Sequence, residues 1–543
     1  MSLTPRARFG FPLLALLLVC AVLAAPLVLA QPASRLAVQE VLAAGGPAPG
    51  FPPDAVLESI ADVPRIDAAG NVSTVALVRD PVEGSLQVLY RSLAGATELV
   101  FRPGDPAPGV SGSFVQFPDL PQTPRIQGGR LTFAAVIEEA STGGGRTGLW
   151  SDRSGSFGSL MLAGQSLPGL PAGGQVSTFD FTTRGGTVLL RASFSRGGSS
   201  LPGDRGLWRN RNGAWEALVV RDMSVPGLAG AVFGPDPTGV YGPLFAYDAR
   251  SDGRVVTQSW MTGPRIDENN DEALWLETDG GLRLLVREGD RPGGRGKTPA
   301  FGPTRSTPTF GGDHENLPPV VNDLGTVLFG AVLRSGKSRF NSVWTGRSGA
   351  APVLLVRGGV PLSGYGEGDP APGFAPGVGF ATFEQGALNE RNQLAFLGFA
   401  DEQGNPLDLT QAIWWDVPGR LALVAAEGRP APGLPGVVYF NLSLETLTDE
   451  GALFFTARLA GAGITAANDR ALFRADPDGS VDLVLREGDT VDVTDRAGAT
   501  TARIVRSFDV ARDLDQAGRG VARLAFSDGS AGVYTTVESL LAR

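Results

Sequence analysis

His314 is the only histidine among 543 residues, and a Ser-His-Asp relay would have to pass through it. It sits in Gly311-Gly312-Asp313-His314-Glu315-Asn316, within the longest interval between repeat markers, where an exposed loop histidine is expected. Cys20 is the only cysteine and lies in an apolar N-terminal run, so counting alone excludes zinc sites of the usual His and Cys kind. No G-x-x-x-x-G-K-[ST] phosphate loop occurs. Acid–base chemistry is therefore left to carboxylates. Asp180, Glu384 and Asp509 each directly follow a phenylalanine in a strand-like segment, and alternation turns one of each pair away from the core. Carboxylates facing one another across a channel could do glycosidase work, although a wet polar lining needs the same residues. Asp105, Asp290, Asp369 and Asp489 hold equivalent places in recurring loops, as ligand-binding candidates or as plain turn residues. Asp267, Asn269 and Asp271 set oxygens at alternate positions, as calcium loops do. They lack the glycine and distal glutamate of an EF-hand. Apart from that calcium candidate, no cofactor is indicated.

The elements that must hold these residues are repeated. Pro-Gly phrases recur, among them Gly46-Pro47-Ala48-Pro49-Gly50, Asp105-Pro106-Ala107-Pro108-Gly109 and Asp369-Pro370-Ala371-Pro372-Gly373. The prolines before the closing glycine, from Pro49 through Pro108, Pro168, Pro226, Pro292 and Pro372 to Pro432, stand 59, 60, 58, 66, 80 and 60 residues apart. Arg486-Glu487-Gly488-Asp489 is a degenerate eighth copy. Between these loops a turn glycine precedes an apolar residue by four positions, as in Gly325 to Phe329 and Gly451 to Phe455. A third marker is small–aliphatic–aromatic: Gly148-Leu149-Trp150, Gly206-Leu207-Trp208, Ala273-Leu274-Trp275, Ser342-Val343-Trp344 and Ala412-Ile413-Trp414. Five of the eight tryptophans fall at this one place, which reads as a core site used once per unit.

Each unit holds about four short strands; in the sixth they are residues 377–387, 393–401, 411–417 and 420–426. Several four-stranded units with one core aromatic apiece predict an all-β, eight-bladed β-propeller of ~60-residue repeats. The blades are expected at about 50–108, 109–168, 169–226, 227–292, 293–372, 373–432, 433–490 and 491–543. The last unit supplies only three strands, while residues 36–42 form an orphan strand directly before a Pro-Gly phrase. That N-terminal strand is expected to complete the last blade, which removes two open sheet edges.

Asn322-Asp323-Leu324-Gly325-Thr326-Val327-Leu328-Phe329 and Asn389-Glu390-Arg391-Asn392-Gln393-Leu394-Ala395-Phe396 each match all but one fixed position of an N-x-x-G-x-x-A-F signature. In this the chain resembles the exported bacterial tandem-repeat family of that signature, the choice-of-anchor repeat proteins. The resemblance covers essentially all of the chain beyond residue 30 and implies no activity and no catalytic residues.

Gly (75) and Pro (41) make up about a fifth of the chain, and a net charge of -10 argues against a nucleic-acid partner. Residues 1–30, with Arg6 and Arg8 before an apolar run over 11–25, Pro26 breaking it and Val28-Leu29-Ala30 before the cut, read as a secretory signal peptide. No second apolar run is long enough to span a membrane. The expectation is an exported monomer, secreted or periplasmic. It would act as a non-catalytic binding or structural module with a glycan or protein partner. The alternative is a carboxylate-based carbohydrate-active enzyme, a glycoside hydrolase or lyase, working at the channel mouth.

Overall fold

The computed structural model describes residues 35–117, 124–139, 143–197, 203–235, 242, 244–292, 300–301, 317–335, 337–359, 365–402, 404, 408–417 and 420–542. Residues 36–543 form one compact unit. Residues 1–30, Cys20 among them, and His314 lie outside the described residues. Among those described there are strands and no helix, so no helix is long and apolar enough to cross a membrane.

The strands form eight sheets arranged as an eight-bladed β-propeller. In the sixth blade they are Gly379–Leu388, Leu394–Asp401, Thr410–Val417 and Arg420–Ala426, paired antiparallel in chain order. Blades 3 and 7 share this plan. In blades 1, 2, 4 and 5 the inner strand is broken into two pieces that both pair with the second strand. Val56–Ile60 and Arg65–Ile66 are the pieces in blade 1, and Gly112–Gln116 and Arg125–Gln127 those in blade 2. Periodicity gave no sign of these breaks, because each half is too short to show one.

The core lies between blades rather than within them. Eight clusters of buried apolar side chains each join one blade to the next, and one of them ties Val521 and Val533 of the last blade to Leu57 and Val78 of the first. Sheets with two apolar faces leave no other arrangement in which every face is covered.

The two loudest sequence markers meet in space. The indole N–H of Trp150 donates to the Pro108 carbonyl at 3.2 Å, that of Trp208 to Pro168 at 2.8 Å, and that of Trp414 to Pro372 at 3.1 Å. The hydroxyl of Tyr90 does the same to Pro49 at 3.1 Å. A buried ring with one polar handle needs such an acceptor, and the Pro-Gly turn presents its carbonyl there. Trp275 and Trp344 use the hydroxyls of Ser259 and Ser342 instead. In blades 1 to 7 the ladder between third and outer strands shifts register immediately before this aromatic. The extra residue is on the outer strand, as Leu218 is beside Leu207–Trp208, so the aromatic keeps its regular pairing with the second strand while the outer strand bends.

The Asn-x-x-Gly turns clasp successive blades. Asn322 Oδ1 accepts from the Thr326 amide within its own turn, while its Nδ2 donates to the Asn389 carbonyl of the next blade, both at 2.9 Å. Asn389 repeats the pattern toward the Thr448 carbonyl at 2.8 Å. At Gly185 the blade-3 turn runs so close to blade 4 that a Cβ would fall 1.0 Å from the Ser251 carbonyl oxygen. Glycine is the residue that fits.

The last blade closes as expected, with one addition. The N-terminal strand Ala37–Ala43 pairs antiparallel with Ala531–Thr536, Val38 opposite Thr536 and Ala43 opposite Gly532. Its other edge pairs in parallel with Thr490–Thr494, which also pairs with the inner strand Thr500–Leu514. Five strands thus close into a small barrel.

Candidate functional site

Alternation works on the inner strands as the sequence implied. Phe179, Phe383 and Phe508 are buried, and Asp180, Glu384 and Asp509 follow them on the half-buried side. They belong to blades 3, 6 and 8, no two of which are neighbours. Asp180 stands directly opposite Arg191 on the second strand and accepts from its Nε at 2.8 Å. Asp509 repeats this with Arg523, whose Nε lies 3.1 Å away, and also takes Arg470 from blade 7 at 3.0 Å. Burial pushes the Asp509 carboxyl up, but hydrogen bonds from Arg523 and Arg470 outweigh it and hold the group below its ordinary value. Glu384 lies at a register shift between Phe383 and Gln385, out of the regular ladder.

The broken inner strands contribute residues that were not anticipated. Arg65 and Arg125 hold the same ladder position in blades 1 and 2, opposite Ser73 and Thr132. The Arg125 Nε is buried without a hydrogen-bond partner. Burial, with Arg65 and Arg184 adding like charge, brings its guanidinium down to about 10. Asp62, in the break of blade 1, accepts from the Val75 amide and the Thr74 hydroxyl at 2.9 Å each. Burial nevertheless pushes its carboxyl up to about 6. In blade 4, the Tyr247 hydroxyl reaches Asp180 at 3.5 Å, and the Val321 amide of blade 5 donates to Asp248 at 2.9 Å. A signal for the arginines did exist: Pro64-Arg65-Ile66 and Pro124-Arg125-Ile126 are one motif in consecutive units.

The four loop aspartates sit at the junctions entering blades 2, 5, 6 and 8, and three of them bond within their own turn. Asp105, Asp290 and Asp489 accept the backbone N–H of the arginine three residues earlier, at 3.0, 3.1 and 2.8 Å. Asp369 accepts from the Arg357 amide at 2.8 Å and from its guanidinium. Gln165 plays this part in the junction entering blade 3. Burial pushes Asp290 and Asp489 above the usual carboxylate range.

The junction loops and the loops between second and third strands share a face. Arg287, at the end of the outer strand of blade 4, donates to the Asn270 carbonyl in the loop between that blade's second and third strands at 2.6 Å. That loop holds the calcium candidates. Asp267 and Asn269 are exposed at its tip, where Asp267 Oδ1 accepts the Asn269 amide at 2.9 Å, whereas Asp271 is buried at its end. The three do not occupy one environment. Among the described residues no group of three or more His, Cys, Asp or Glu side chains is placed to hold a metal ion. On the same face a cleft of about 500 Å³ runs between the junction entering blade 6 and the loop carrying Asp401 and Glu402, with Glu367 on its wall.

A family described as a family of unknown function (DUF7453) matches residues 28–126 and 304–541, more than half of the chain. No curated protein matches it. Among solved structures, the chain is similar to the β-propeller domain of the trilobed protease of Pyrococcus furiosus, with 11% identity over 80% of this chain and 99% of that one, at a TM-score of 0.33. It is also similar to polysaccharide lyase Uly1, with 10% identity, 80% and 92% coverage and a TM-score of 0.35. A polysaccharide lyase described as an ulvan lyase gives 9%, 80%, 96% and 0.30. None of these likenesses bears on a site.

Proposed function

The chain belongs to the DUF7453 family, and we propose that it is an exported, non-catalytic propeller that binds a glycan or protein partner through its junction-loop face. The observation that carries this reading is the state of the inner-strand acids. Asp180 is matched by Arg191, and Asp509 by Arg523 and Arg470. A carboxylate held in such a pair is a poor general acid, because losing its charge would strand a guanidinium. Variable loops on a rigid ring are the usual carriers of recognition. The test is a glycan array together with a reducing-end and unsaturated-product assay on protein lacking residues 1–30. Binding without turnover is expected. Turnover that disappears in Asp509→Asn would overturn the reading.

One observation favours the enzyme alternative. Arg523 donates to Asp509, held low, and to the Ile60 carbonyl at 3.2 Å, close to Asp62, which is pushed up to about 6. Carboxyls driven apart in this way are the pattern of an acid and its partner. On that reading Asp62→Asn abolishes turnover while leaving glycan binding in place.

A further inference from the structure

On the opposite face, where first-to-second and third-to-outer turns gather, a cleft of about 670 Å³ opens between blades 2 and 3. Its size is that of a small-molecule site. Its charged lining residues are Arg130 and Arg153, with no carboxylate among them, in a chain of net charge -10. The nearest acid in sequence, Asp152, is engaged elsewhere: Oδ1 accepts the Leu131 amide and Oδ2 pairs with Arg91. Asn210 is 4% exposed at the cleft wall. Its Oδ1 accepts the Gly213 amide at 3.1 Å, but its Nδ2 is buried with no hydrogen-bond partner. A buried amide donor left unmade is costly, and Asn210 is one of the residues that line the cleft.

Arg153 is already positioned. Its Nη2 donates to Gln127 Oε1 at 2.9 Å and its Nε to Thr132 Oγ1 at 3.4 Å, which fixes the guanidinium plane. Burial lowers its pKa, against the opposing charge of Asp152, the mark of a cation short of water. Leu160, on the blade-2 side, adds a part-exposed aliphatic surface, while Val188 of blade 3 is buried in the core behind the cleft. An unfilled amide donor, a fixed guanidinium fork and the aliphatic Leu160 beside them suit a ring with an apolar C–H face that carries an oxyanion.

We propose that the cleft between blades 2 and 3 binds an acidic sugar unit, its carboxylate or sulfate received by Arg153 and Asn210 and its ring lying against Leu160. The site is on the face away from the junction loops and does not depend on what those loops bind.

The experiment is saturation-transfer NMR and calorimetry on protein lacking residues 1–30, with glucuronate, galactose 6-sulfate and glucose as probes. At least one acidic sugar should bind, with glucose at least tenfold weaker, and the acid that binds identifies the anion as carboxylate or sulfate. Arg153→Gln should weaken that binding tenfold or more. Arg130→Gln, at an exposed position that leaves the fold untouched, should weaken it less and flatten its salt dependence. The proposal fails if neither acidic sugar binds, if glucose binds as well, or if both arginine variants bind like the parent.

Discussion

Asp62 shows how folding sets the chemistry of a single side chain. Its Oδ1 is satisfied by Thr74 and Val75, but its Oδ2 is buried with no partner. The folded pKa, about 6, lies above the ordinary 3.8, so the folded chain holds this proton more tightly than the unfolded one. The sign then follows. Below about pH 4 both states are protonated and the residue costs nothing. From pH 4 to 6 the unfolded state ionises first, and a penalty accumulates that is complete above pH 6. Asp62→Asn keeps the acceptor for Thr74 and Val75 and should raise stability at pH 7 by roughly 1 to 3 kcal/mol. At pH 4 it should change little, as melting temperatures at the two pH values would reveal. An equal gain at both would mean that the benefit does not come from ionisation. Asp180 and Asp509 were legible in the sequence because a strand's alternation announces them. Asp62 was not, since it sits in an irregular break, and its burial comes from residues 12 and more positions away.

Among the elements, the unit of construction is an aromatic on the third strand bonded to a proline carbonyl in the incoming turn. Both halves were legible separately because each repeats, but their bond was not, since partners some 40 residues apart leave no local trace. Phe473 occupies the place in blade 7 and Tyr534 in blade 8, so ring volume is the constant requirement and the hydrogen bond an addition. Trp208→Phe should therefore cost about 1 to 2 kcal/mol, the worth of a buried hydrogen bond and a small volume loss, read from the urea midpoint. A loss near the roughly 3 to 5 kcal/mol of a truncation to alanine would mean that the site requires the indole itself and not ring volume in general. The broken inner strands escaped the sequence for a related reason. Two residues such as Arg65–Ile66 or Val320–Val321 carry no period, and only the second strand they share makes them one element.

For the whole molecule, everything rests on how the ring is held shut. Each interblade core needs a blade on both sides, so an opening anywhere exposes two apolar sheet faces at once. The seam lies where the chain's ends meet, and no disulfide is available there. The N-terminal strand closes it twice over, antiparallel to Ala531–Thr536 and parallel to Thr490–Thr494. The first pairing was legible as an orphan strand opposite a three-stranded blade. The second was not, because a parallel contact between residues more than 450 positions apart has no local signal. Leu36 and Val38 are buried in the core shared with blade 7, and Leu42 in the core shared with blade 1. Burying such side chains is worth roughly 1.5 to 3 kcal/mol each. Deleting residues 31–45 removes all three and leaves edges free on both Thr490–Thr494 and Ala531–Thr536. Strand content by circular dichroism should then fall only slightly, while the unfolding transition broadens, its midpoint drops, and oligomers appear in light scattering. A milder change, Val38→Asp, should shift the midpoint in the same direction without removing backbone pairing. If the truncated chain stays monomeric and melts like its parent, the seam is carried by the remaining blade contacts, and the double pairing contributes nothing to closure.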